Sequence, residues 1–239
     1  MTSKLPDFDE ASEIVRSKTW ILIRAFNEAP RIGATLTDVC AHYRNVIVVD
    51  DGSTDGTDAV ASQFPVWLLR HPVNCGAGAA LETGLCFARE RDAEVTICFD
   101  ADGQHDVRDI PGLLKILQAS GADIVCGSRF LGEHHGMPWT RRLILRLGIW
   151  FTRLHSGLCV TDTHNGLRAF SRRATQQIRI VYSDMTYASE IYDQIRRLGL
   201  KYAEAPVNIR YSTETLAKGQ ASSNALRIAG KLLLGRMLP

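Results

Sequence analysis

The chain is predicted to fold as an α/β domain around a mostly parallel central sheet flanked by helices. Short runs rich in Val, Ile and Leu alternate with segments of helical period, as in successive βαβ units. Two of those runs close in acidic loops, Val49-Asp50-Asp51-Gly52-Ser53 and Phe99-Asp100-Ala101-Asp102-Gly103-Gln104. No internal repeat, low-complexity tract or linker divides the 239 residues, a length that one α/β domain of up to ~250 residues can hold.

Strands are expected at Trp20 to Phe26, Val46 to Asp50, Val66 to Leu69, Val95 to Phe99 and Ile124 to Cys126. Near-continuous apolar runs are what strands covered on both faces require. Helices are expected between them at Arg31 to His42, Thr57 to Gln63, Ala77 to Arg91 and Ile110 to Ala119. Past residue 130 the pattern is less regular. Gly132 to Pro138 reads as a loop, Trp139 to His155 as an amphipathic segment, and Gly166 to Phe170 as a strand. Ser183 to Leu198 reads as a helix and Lys201 to Tyr211 as a strand; a polar stretch, Thr213 to Ser223, then leads to an amphipathic end, Asn224 to Met237. The whole chain is expected to be one domain with two halves, residues 1–130 and 131–239.

Composition sets bounds. An apolar fraction of 45% and a charged fraction of 23% lie near ordinary globular usage and exclude wholesale disorder. The six cysteines include no Cys-x-x-Cys pair and sit mostly in apolar runs, so they are expected to be reduced core residues rather than disulfides or zinc ligands. Met1 to Lys18 lacks the apolar core of a secretory signal. No run approaches the ~20 apolar residues of a membrane span.

Charge is unevenly spread: residues 1–140 carry 12 Lys or Arg against 20 Asp or Glu, and residues 141–239 carry 16 against 6. An acidic half suits a metal and a basic half suits phosphate or an anionic surface.

Ligands of parallel sheets bind beyond the carboxyl ends of the strands, where both acidic loops belong. Asp100 and Asp102, two apart at such an end with Gln104 nearby, suit Mg²⁺ or Mn²⁺, which takes one or two carboxylates together with substrate phosphate oxygens. A capping turn before the helix at Ile110 is the plainer alternative. Glu28 after the first strand and Asp50 and Asp51 after the second bring acidic groups to three strand ends, a crowding of like charge that favours a cation or hydrogen-bond donors.

These residues, in this order, resemble the family 2 glycosyltransferases of GT-A fold, and within them the dolichol-phosphate mannosyltransferase-like, polyprenyl-phosphate glycosyltransferase-like branch. The resemblance runs from about Trp20 to about Ser223. It implies a Rossmann-like GT-A domain that moves a sugar from a nucleoside-diphosphate sugar, with inversion, to a polyprenyl phosphate; a glycan acceptor is the close rival. Arg24, Phe26 and Glu28, with Val49 and Asp51, would line the nucleotide pocket, although the family usually has proline at the place of Arg24 and tyrosine at that of Phe26. Asp100, Ala101, Asp102 and Gln104 match the metal and diphosphate loop, and Arg129 matches an arginine that contacts phosphate. Arg210 and Lys218 would close over the diphosphate; Ser212 occupies the usual arginine position, and Arg210 lies two residues earlier, on the same strand face. Arg141 and Arg142 resemble a basic pair that engages acceptor phosphate. Asp162-Thr163-His164-Asn165-Gly166 occupies the acceptor-side segment, with Asn165 in place of serine. Glu190 or Asp162 would act as base if the acceptor is a hydroxyl; Glu190 as a salt-bridged helix residue is the alternative.

The amphipathic segments would rest either on a membrane interface or on the sheet or a second subunit. The resemblance implies a cytoplasmic protein, peripheral at the inner face of the membrane, with homo-oligomerisation possible and no nucleic-acid partner. Gly76-Ala77-Gly78 is expected to form a tight helix entry near the donor. His71, His105, His134, His135 and His164 show no metal-ligand spacing. Two further classes remain open: a Rossmann-type oxidoreductase, which would need its glycine-rich turn where Asn27-Glu28-Ala29-Pro30 stands, and a non-catalytic binding module.

Overall fold

The computed structural model describes residues 17–132, 149–150, 153, 157–163 and 165–209. Seven strands form one sheet: β1 (Thr19–Ala25), β2 (Asn45–Asp50), β3 (Trp67–Arg70), β4 (Val95–Asp100), β5 (Ile124–Ser128), β6 (Arg168–Ser171) and β7 (Tyr202–Pro206). Their order is β3-β2-β1-β4-β6-β5-β7, parallel except for β6, which runs antiparallel to both β4 and β5. The helices are α1 (Ala29–His42), α2 (Thr57–Ala61), α3 (Ala77–Glu90), α4 (Ile110–Ser120), α5 (Arg172–Gln177) and α6 (Tyr187–Arg197).

Alternation along β1 builds a core on each face. Ile21 and Ile23 join Ile32, Leu36 and Val39 of α1 and Leu113 and Leu117 of α4. Leu22 joins Leu81 and Leu85 of α3 and Ile191 and Ile195 of α6 on the other face. All three β1 residues are fully buried, each a gain of about 1.5–3 kcal/mol over exposure. Gly84 lets α3 settle on β1, because a Cβ there would lie 2.0 Å from Leu22 Cδ1.

The order of strands positions the site. From β1 the chain steps outward to β2 and β3, then returns to β4 on the opposite side of β1, which makes the β1/β4 crevice a topological switch point. In register, Ala25 stands beside Asp50 and Arg24 beside Asp100. Antiparallel β6 sets Arg168 beside both Cys98 and Cys126. The segment that precedes β6 therefore reaches the edge where β4 and β5 end.

Several boundaries differ from expectation. The strand expected from Lys201 stops at Pro206, whose ring nitrogen cannot donate to a ladder. The helix expected from Ser183 begins at Tyr187, because Asp184 Oδ1 accepts the Thr186 amide 3.0 Å away and holds a turn before it. The strand expected from Gly166 starts at Arg168, and the short α5 follows it directly, capped by the Ser171 hydroxyl 3.2 Å from the Ala174 amide. Most of Trp139 to His155, together with Thr213 to Ser223 and Asn224 to Met237, lies outside the described residues. Among the described residues, no helix is long and apolar enough to cross a membrane.

Candidate active site

Two loops are sewn together where β1 and β2 end. The Asn27 amide donates to Ser53 Oγ (2.9 Å), and Asn27 Oδ1 accepts from the Thr54 amide (3.0 Å). The Glu28 amide donates to Thr57 Oγ1 (2.8 Å), and Asp55 takes the amides of Ala29 and Thr57. Asn27 has φ of 53°, a left-handed conformation that asparagine tolerates better than most residues. The Glu28 carboxylate accepts from Arg31 Nε at 2.6 Å.

Asp51 lies deeper and is 3% exposed. Its Oδ1 accepts from the Cys75 amide (2.9 Å) and lies 2.7 Å from His71 Nδ1; its Oδ2 accepts from the Gly76 amide (2.8 Å). His71 Nε2 is 2.9 Å from the Thr83 hydroxyl. This buried carboxylate is therefore held by two backbone amides just before α3 and by the His71 ring.

Asp100 meets a guanidinium and an imidazole instead. Arg24 Nη2 reaches its Oδ1 at 2.5 Å and His105 Nε2 its Oδ2 at 3.0 Å. Arg24 also donates to the Tyr187 hydroxyl and lies over that ring, 5.1 Å from its centroid. Burial alone would push the Asp100 carboxyl up; the Arg24 guanidinium, then His105, overcome this and hold it well below the usual carboxylate range. Asp102 behaves oppositely: burial, reinforced by the Asp100 charge, pushes its carboxyl up. The charged form of Asp102 is thus disfavoured where it stands, and a nearby cation would relieve it. Each Asp100 oxygen accepts one hydrogen bond and keeps a lone pair, so the pair fits a hard cation. Gly166 presses against this carboxylate, for a Cβ there would lie 1.9 Å from Asp100 Oδ2.

On the β5 side, Arg129 and Asp162 form a buried pair. Arg129 Nε donates to Asp162 Oδ2 at 2.6 Å, and the Arg129 amide donates to the same oxygen at 3.1 Å. The loop that carries Asp162 is locked by the Tyr192 hydroxyl on the Asp162 carbonyl (2.9 Å) and by Arg168 Nε on the Asn165 carbonyl (3.1 Å). Arg168 also lies over the rings of Tyr187 and Tyr192. Asn165 Oδ1 accepts the Leu167 amide, while its buried Nδ2 has no hydrogen-bond partner among the described residues. Glu190 accepts the amides of Val181 and Tyr182 at 2.9 and 3.1 Å. Burial pushes its carboxyl up, against those amides. It pins the segment that packs on Gly76 and Gly78, where added Cβ atoms would meet Ser183 O at 2.4 Å and Tyr182 O at 2.0 Å.

The other expected residues fall in differing surroundings. The Val49 side chain is wholly buried in the α3-side core. Ala101 is buried and its carbonyl accepts the Thr35 hydroxyl at 3.1 Å. Phe26, by contrast, stands 44% exposed just beyond β1. The Gln104 amide donates to Asp102 Oδ1 at 3.0 Å; it is His105 that reaches Asp100. The cysteines are free, but only Cys98 and Cys126 are buried, where desolvation raises their thiols to about 12 and about 11; Cys75, Cys86 and Cys159 are exposed. Arg141, Arg142, Arg210 and Lys218 lie outside the described residues. His105, Arg168 and Tyr187 were missed as site residues, and only the break in apolar alternation at Arg168 marks any of them in the sequence.

Residues 20–179 match the model of glycosyl transferase family 2. The chain belongs to that family. It is a glycosyltransferase, and its relatives lie in the branch expected from the sequence. It is 31% identical to the UDP-N-acetylglucosamine–dolichyl-phosphate N-acetylglucosaminyltransferase of Methanococcus voltae, over 91% of this chain and 96% of that one. It is 28% identical to the polyprenol monophosphomannose synthase of Mycolicibacterium smegmatis, over 92% and 87%. Among solved structures, glucosyl-3-phosphoglycerate synthase of Mycobacterium tuberculosis, in complex with Mn²⁺ and UDP-glucose, superposes with a TM-score of 0.70 at 20% identity, covering 94% of this chain and 79% of that one. That likeness establishes a shared GT-A architecture and closes the oxidoreductase alternative together with the family match.

Proposed function

We propose that this glycosyltransferase moves a sugar from a nucleoside-diphosphate sugar to a polyprenyl phosphate in the β1/β4 crevice. The observation that carries the acceptor class is the state of the two carboxylates considered as bases. Asp162 is spent on Arg129, and Glu190 on the amides of Val181 and Tyr182. An alcohol acceptor needs a base to take its proton, whereas a phosphate oxygen is already anionic. The names of the two curated relatives support the same class.

The geometry supports a donor side as well. Asp51 and Glu28 would hold the nucleotide, and Asp102 with Asp100 would hold Mg²⁺ or Mn²⁺, a choice supported by hard oxygen ligands and by the disfavoured Asp102 charge. The bound ion would supply neutralisation of diphosphate charge. Arg24 keeps Asp100 ionised and fixed. The acceptor oxygen attacks the anomeric carbon opposite the diphosphate, so the new C–O bond forms as the old one breaks, with inversion. Arg129, held in one orientation by Asp162, would stabilise phosphate charge from the β5 side, with Arg210 and Lys218 contributing from the segment after β7. Work at a lipid acceptor implies contact with a membrane surface.

Purified protein supplied with Mg²⁺ or Mn²⁺ should transfer sugar from one of a panel of UDP- and GDP-sugars to a short polyprenyl phosphate and not to the matching polyprenol. Asp102→Ala should lower transfer by roughly 10²–10³-fold, the scale of losing one charge-stabilising group, while unfolding at the wild-type temperature or above. Full activity of that variant would refute the metal assignment, and preference for the polyprenol or a free saccharide would refute the acceptor.

A further inference from the structure

Apart from the acidic loop, the described residues hold one cluster of metal-type ligands: Asp51, His71 and Cys75, whose ligand atoms all lie within 4.8 Å of one another. We propose that this cluster is a binding site for a borderline-soft divalent cation of the Zn²⁺ class, separate from the Asp100/Asp102 site. The donor set decides the class, since thiolate with imidazole selects Zn²⁺ or Cd²⁺, whereas carboxylates alone suit Mg²⁺ and Mn²⁺.

Three features preform it. His71 Nε2 lies 2.9 Å from the Thr83 hydroxyl, which can accept its proton and leave Nδ1 to the ion, the outer-shell arrangement common to metal-bound histidines. The Cys75 and Gly76 amides orient the Asp51 carboxylate. Gly52, at φ +72°, lets Val73 and Asn74 press onto the β2 loop: a Cβ there would lie 2.4 Å from the Val73 carbonyl carbon. Cys75 is thereby delivered beside Asp51.

Tetrahedral zinc ligands stand ~3.3–3.7 Å apart for bonds of about 2.0–2.3 Å. The 2.7 Å separation of His71 Nδ1 and Asp51 Oδ1 must therefore open slightly, and the exposed Cys75 thiol must swing inward. Both are side-chain rotations. Binding takes the thiolate and releases its proton, and three protein ligands leave a fourth position for water. Because Asp51 is also the carboxylate assigned to the nucleotide, the cation and the nucleotide would exclude one another. That consequence rests on the function proposed above; the site itself does not.

Cd²⁺ reports on it directly, through thiolate-to-metal charge transfer in the ultraviolet. Reduced, metal-free full-length protein should saturate with about one equivalent of Cd²⁺ at this site, reversed by Zn²⁺ but not by Mg²⁺. Cys75→Ser, a change at an exposed side chain, should abolish the signal, whereas Cys86→Ser, Cys159→Ser and Asp102→Asn should retain it. His71→Gln should weaken Cd²⁺ binding at least tenfold. A full signal in Cys75→Ser, or wild-type affinity in His71→Gln, would overturn the proposal.

Discussion

Two arginine–aspartate pairs stand on the same sheet edge and do opposite things. In Arg24–Asp100 the arginine side chain is 10% exposed and the aspartate 30%, so the carboxylate is the member offered to solvent. In Arg129–Asp162 the values are 7% and 1%, and the carboxylate is the member most deeply hidden. The chemistry of contact is alike, but exposure inverts the role: the first arginine prepares an anion for a partner, and the second aspartate prepares a cation. In the transfer proposed above, in which a sugar passes to an anionic acceptor as a metal-bound diphosphate leaves, each would have a use.

The sharpest way to break this contrast is to remove the hidden member. Asp162→Ala leaves the Arg129 charge buried without its carboxylate, and loss of one partner of a buried pair costs about 3–5 kcal/mol. Urea unfolding should register a loss of that size. The equivalent cut on the other side, Arg24→Met, leaves a carboxylate that water already reaches and that His105 still contacts, so about 1–2 kcal/mol is expected once solvent screening is allowed for. Its second effect is chemical: without the guanidinium, the Asp100 carboxyl should rise back toward the ordinary range, seen by NMR titration of its side chain. Equal stability losses in the two variants would erase the distinction.

The same contrast explains what could be read from the sequence. Glu28, Asp51, Asp100 and Asp102 lie at or just after the ends of apolar strands, so sheet position and sequence position coincide and the acidic edge was legible. Strand polarity and most boundaries within residues 17–130 were legible too, because buried parallel strands must be continuous apolar runs. The β5 side depends on contacts between distant segments: Arg129 with Asp162, Tyr192 with the Asp162 carbonyl, Arg168 under two tyrosines. No local period encodes those. Nor does spacing reveal that the Val49 side chain points into the core or that His71 and Cys75 meet at Asp51, since both depend on how α3 and its preceding loop pack.

Glu190 gives the smallest and most discriminating effect. A residue that merely anchors the 181–182 segment should tolerate Glu190→Gln, because the amide oxygen still accepts a backbone N–H and the isostere fills the same space; a loss under about 1 kcal/mol is expected for one neutral hydrogen bond replacing a charged one. Transfer should stay within about threefold of wild type, against the 10²–10⁴-fold typical of a lost general base. Stability against pH supplies a second readout. Burial raises the folded-state Glu190 carboxyl above its ordinary value, so in the acid range just above that value the native state holds more protons than the unfolded one. Stability from this group therefore falls as pH rises through that range, and the component should vanish in Glu190→Gln. Loss of transfer at unchanged stability would instead make Glu190 the base, and with it a hydroxyl the acceptor.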